Sequence, residues 1–106
     1  MSKVDDFVEF CEIVKENPKK MHLLERAVGQ TSALLISTLE ANRIDDFRRV
    51  MQGFGELVLI WPKGERMPFD FLLEGRGAEL FKFLLQANML DAWTSIMEKY
   101  TERLRE

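Results

Sequence analysis

Covalent or metal chemistry in this 106-residue chain would have to start from one cysteine, Cys11, and one histidine, His22. A zinc site wants about four nitrogen or sulfur ligands, so this pair cannot supply one. A single cysteine also forms no internal disulfide. Cys11 falls in an apolar helical row with Val4, Phe7 and Val14, which is where a small core residue sits. Carboxylates are numerous, and Asp5-Asp6 and Asp45-Asp46 look like paired acids. Each pair opens a helical pattern, so the first aspartate of each reads as an N-cap. Gly53-Phe54-Gly55 and Gly75-Arg76-Gly77 are too short to cradle a phosphate, and no strand feeds them. No serine sits in a nucleophile elbow. The residues therefore predict no catalytic centre, no metal and no cofactor.

Two other groups of residues point to binding. The first is basic: Arg43, Arg48 and Arg49 lie close in sequence, and Lys63, Arg66 and Arg76 follow. Gathered by the fold, they would grip phosphates or an acidic protein. Against nucleic acid stands Asp45-Asp46, which would meet the phosphates first. The chain is also acidic, with a net charge of −3. Residues 1–16 hold two basic and five acidic side chains, so the whole excess belongs to the first helix. Generic phosphate-backbone binding rests on the opposite balance.

The second group is apolar. Phe54, Leu57, Leu59, Ile60, Trp61, Met67, Phe69, Phe71, Leu72 and Leu73 crowd one stretch. Phe54, Leu57, Ile60, Trp61, Met67, Phe69 and Phe71 form a candidate protein interface, since aromatic and methionine patches mark partner sites. Part of this set also suits a core.

Helices must position these groups. Val4, Phe7, Cys11 and Val14 recur at helical spacing, with Val8 and Phe10 beside them, and predict a helix over 3–16 capped by Ser2. Asn17-Pro18 ends it, and Pro18 suits the first turn of a helix over 18–41. Gly29 predicts a kink or break there. Phe47, Val50, Met51, Phe54 and Val58 predict a helix over 44–58. Leu57 to Trp61 fits either its last turn or a buried strand. Pro62-Lys63-Gly64 would turn that strand into a short β-hairpin near 57–69. A short helix over 68–74, then helices over 78–88 and 91–105, complete an all-α domain of five to six helices.

The chain also resembles itself. Leu39-Glu40-Ala41-Asn42-Arg43-Ile44-Asp45-Asp46-Phe47 matches Leu85-Gln86-Ala87-Asn88-Met89-Leu90-Asp91-Ala92-Trp93 at an offset of 46. Residues 18–60 against 64–106 share nine identities in 43 positions, and most substitutions keep an apolar residue where a helix would bury it. A partial third copy is Val4-Asp5-Asp6-Phe7. Ala-Asn closes one helix, because asparagine tolerates the left-handed conformation. Asp45 or Asp91 then caps the next, behind an apolar staple residue. One tight helical hairpin is thus written twice. The period resembles that of paired-helix solenoids such as armadillo-like and HEAT-like repeats, and this likeness implies a protein-binding scaffold.

The expectation is a single cytoplasmic domain without a membrane span. It would be a non-enzymatic interaction module that binds a protein partner or itself as a homo-oligomer. The alternative is a nucleic-acid-associated subunit using the arginine and lysine patch.

Overall fold

The computed structural model describes residues 3–66 and 77–105, and the described chain is all-helical. Five helices follow in order: α1 Lys3–Glu16, α2 Met21–Glu40, α3 Ile44–Ile60, α4 Gly77–Gln86 and α5 Leu90–Arg105. Helix α3 is central and packs on α1, α2 and α5, while α4 packs on α5. No described helix is long and apolar enough to cross a membrane.

The core follows the apolar rows. Helix α1 buries Val4, Phe7, Cys11 and Val14. Helix α3 buries Phe47, Val50, Met51, Phe54, Leu57 and Val58, and Trp61 follows them inward from its C-cap. Each such large side chain contributes about 1.5–3 kcal/mol when taken fully from water. Gly53 is the contact point of α1 and α3: a Cβ there would stand 2.8 Å from the Phe7 ring and 3.3 Å from Cys11 Sγ. Phe47 meets Phe83 edge to face at 4.9 Å, which carries the core on to α4.

The two Asn turns close alike. Asn42 and Asn88 both have positive φ, 56° and 57°. Arg43 N donates to Thr38 O at 3.0 Å and Asn42 N to Leu39 O at 3.2 Å. At the second turn, Met89 N donates to Leu84 O at 2.8 Å and Asn88 N to Leu85 O at 3.2 Å. These are the paired bonds of a Schellman closure with asparagine as the left-handed residue. The helices entering the two turns differ in length, 20 residues in α2 and 10 in α4.

Several sequence expectations are corrected. Asp45 and Asp91 are not N-caps, because the helices start one residue earlier, at Ile44 and Leu90. Arg43 occupies the cap of α3 without a side-chain hydrogen bond. Its amide closes α2, and its carbonyl accepts from Phe47 N at 3.0 Å, so one residue ends one helix and starts the next. Met89 does the same, accepting from Trp93 N. Asp45, Asp46 and Asp91 fall instead in first turns, where negative charge suits the helix dipole. Helix α2 starts at Met21, not Pro18, because Asn17 O accepts from Lys20 N and a turn occupies Pro18 and Lys19. Gly29 does not break α2. It faces solvent, while its neighbours Thr31 and Ser32 are buried and bond back to Ala27 O and Val28 O. Leu57 to Ile60 is the last turn of α3, and no strand occurs among the described residues. The helix expected over 68–74 and the Ser2 cap lie outside the described residues.

Candidate functional site

The apolar stretch after residue 54 divides. Phe54, Leu57 and Trp61 are buried in the chain's own core, and Ile60 is half-buried. Met67, Phe69 and Phe71 lie outside the described residues. The described part offers little exposed surface, because α3 packs on α1, α2 and α5 and turns these side chains into the core between them. Trp61 is further fixed by its indole N–H, which donates to Glu65 O at 3.0 Å, and by its carbonyl, which accepts from Arg103 Nε at 2.6 Å.

The basic residues are not gathered. Arg43, Arg48 and Arg49 stand on the first turns of α3, whereas Lys63 and Arg66 follow its far end, about 20 Å away along the helix. Arg76 lies outside the described residues. The three arginines also have partners. Arg43 pairs with Asp46, and Arg49 reaches Asp5 of α1 at 2.7 Å. Arg48 stands 3.6 Å from Asp45 and donates to the Ala87 carbonyl at 2.8 Å. Their charge is spent on joining α1, α3 and the α4–α5 turn.

The thiol is not poised for reaction. Burial, with a further contribution from the Glu56 charge, pushes Cys11 up to about 12. A nucleophilic cysteine needs the opposite shift. Lys15 hydrogen-bonds to Glu12 and Glu56, which holds its ammonium protonated well above the usual lysine range.

An apolar-walled groove opens between α1 and α2. It has a volume of about 440 Å³ and is lined by Lys3, Asp6, Phe7 and Phe10 of α1 and by Arg26, Gln30, Ala33 and Leu34 of α2. The size falls in the range of small binding clefts, about 300–1,000 Å³. Phe7 forms a buried floor, Phe10 and Leu34 are half-buried walls, and Ala33 is exposed. The Arg26 guanidinium lies over the Phe10 ring, 5.6 Å from its centroid. Among the described residues, neither Lys3 nor Arg26 is joined to a carboxylate. Such a cleft can hold an apolar side chain and pair acidic groups at its rim.

Sequence reasoning missed this groove. Phe10 was the available signal, a second aromatic displaced from the buried row of α1. Its partners on α2 could not be named without knowing how the two helices lie together. Large apolar residues also stand exposed at Ile13, Leu59, Phe81 and Leu85, with Phe81 and Leu85 one turn apart on α4. Compared with protein-family models, with curated proteins and with solved structures, the chain matches none.

Proposed function

We propose that this chain is a non-enzymatic protein-interaction module, self-associating or a small subunit of a larger complex, and that it docks its partner in the α1–α2 groove. The observation that carries this reading is the half-exposed apolar wall of Phe10 and Leu34, beneath two cations, Lys3 and Arg26. A helix laid into such a groove buries its apolar row and pairs its polar flank with the rim. A duplicated helical hairpin belongs to the same reading, supported by two turns that close with matching hydrogen bonds. A cytoplasmic setting suits a chain whose one thiol is free and buried. The nucleic-acid alternative loses its best residues, since Arg43, Arg48 and Arg49 are paired to aspartates.

A photo-crosslinking side chain in place of Gln30 tests the reading in cells that make the protein. The expected result is a covalent adduct with a protein chain, lost when Ala33→Glu fills the groove. Ala33 is exposed on its helix, so that variant keeps the fold. Crosslinks that form equally with and without Ala33→Glu, or no protein adduct at all, would count against it.

A further inference from the structure

We propose that the occupant of the groove is the outer face of α1 from a second copy of this chain, with Ile13 seated between Phe10 and Leu34 and with Glu9 and Glu16 on the two cations. The proposal rests on the groove being a protein-docking site and names the partner.

The groove sets its own requirement. Lys3 and Phe10 are seven residues apart on α1, about 10 Å along the axis. Arg26 lies over Phe10, so the two cations stand at opposite ends of the cleft. Asp6 lies between them on the α1 rim and would repel a carboxylate there. The fitting occupant is apolar in the middle and acidic at both ends, with its acids about 10 Å apart.

Among the described residues, one exposed face has that pattern. Ile13 is 51% exposed, with Glu9 four residues before it and Glu16 three residues after, both exposed. Residues seven apart share a helix face and span about 10 Å. The other exposed large apolar residues among those described lack such flanks. Leu59 has Gly55 and Pro62 at those positions, Phe81 has Gly77 and Leu84, and Leu85 has Phe81 and Asn88.

The pairing also closes. Two antiparallel α1 helices crossing near Phe10 set residue 3 opposite residue 17 and residue 7 opposite residue 13. Lys3 then meets the partner's Glu16, the partner's Ile13 comes level with Phe7 and meets the Phe10 wall of the groove, and Arg26 beside Phe10 meets the partner's Glu9. A two-fold axis repeats every contact, giving a self-complementary dimer. The acidic excess of α1, which would otherwise drive the two helices apart, is met by cations at both ends of each groove.

Charge reversal tests this with the full chain. Light scattering behind size exclusion should give twice the 12.4 kDa chain mass at high micromolar concentration. The pair Lys3→Glu and Arg26→Glu should weaken the dimer by roughly 100-fold, and so should Glu9→Lys with Glu16→Lys, because like charges then face each other. Mixing the two reversed proteins should restore a dimer, since each groove then meets the opposite charge. All four substitutions together should restore it within one chain. All four sites are exposed, and far-ultraviolet circular dichroism checks that the fold is kept. A wild-type protein that stays at single-chain mass overturns the proposal, as does a mixture that stays monomeric. A monomer whose Gln30 crosslinks to another protein, in a manner blocked by Ala33→Glu, leaves the interaction reading standing and removes self-docking alone.

Discussion

Arg48 of α3 donates from Nη2 to the carbonyl oxygen of Ala87, at 2.8 Å, and so ties the body of one helical hairpin to the turn of the other. Ala87 is buried just past the end of α4, where the last helical carbonyls have no partner within the helix. The same guanidinium stands 3.6 Å from Asp45, whose side chain is 96% exposed. The two contacts should differ in worth. Arg48→Ala should lower stability by about 1–2 kcal/mol, the usual size for a charged donor on a part-buried carbonyl. Asp45→Ala should change it by less than about 0.5 kcal/mol, as exposed ion pairs do. Urea denaturation of both variants measures the difference, and equal losses would refute it.

The Asn turns give a second comparison. Asn42 and Asn88 hold positive φ, a region that costs an ordinary L residue about 1–2 kcal/mol. Asn42→Ala and Asn88→Ala should each destabilise by about 1 kcal/mol, whereas replacement by glycine should be near neutral. A stable Asn88→Ala protein in thermal melts would mean that the second turn does not need its left-handed residue.

These turns were legible in the sequence because asparagine is one of few residues suited to that backbone conformation, and it stands at the same place twice. The buried rows of α1 and α3 were legible for the same local reason, their helical spacing. Asp45 misled because an aspartate before an apolar row fits an N-cap equally well. Only the turn's hydrogen bonds show that Arg43 already fills that place. The burial of Trp61 and the ion pairs of Arg49 depend on neighbours 42 and 44 residues away in the chain. No local pattern encodes such partners. The α1–α2 groove is hidden in the same way, because it belongs to the spacing between helices.

The cap of α2 is unfilled and can be improved. Lys20 caps α2 with no side-chain hydrogen bond, and it is exposed. Lys20→Ser should place a hydroxyl near the free amides of the first turn and stabilise by about 0.5–1 kcal/mol. A rise in the urea midpoint with unchanged slope is the expected result. A fall would mean that the Lys20 backbone does not admit the capping geometry.

Gly29 and Gly53 are both helical, and alanine should act on them in opposite directions. At Gly29 an added Cβ meets nothing within 4 Å, so Gly29→Ala should stabilise α2 by up to about 1 kcal/mol. At Gly53 the Cβ would collide with the Phe7 ring in the core, and the ring is fully packed. Gly53→Ala should cost about 1–3 kcal/mol, as overpacking does, despite the same gain in helix propensity. Equal stability of the two variants would mean that α1 and α3 do not approach as closely as the Phe7–Gly53 contact requires.

Cys11 makes the stability of the protein sensitive to alkali, and the sign can be worked out. Burial foremost, then the Glu56 charge, raises the folded thiol from 9.0 to about 12. Between those values the folded state keeps a proton that the unfolded state has lost, so stability falls as pH rises. The contribution is fully present below pH 9 and declines by up to about 1.4 kcal/mol per pH unit above it. Lys15, raised by its bonds to Glu12 and Glu56, adds a loss of the same sign at still higher pH. Cys11→Ala removes the thiol's share. It should leave a small cavity cost at neutral pH and a shallower decline between pH 9 and 11. A thiol reagent at pH 8 should label Cys11 only after denaturant is added. Rapid labelling of the native protein, or parallel alkaline slopes in the two proteins, would place the thiol at the surface and contradict its packing against Gly53.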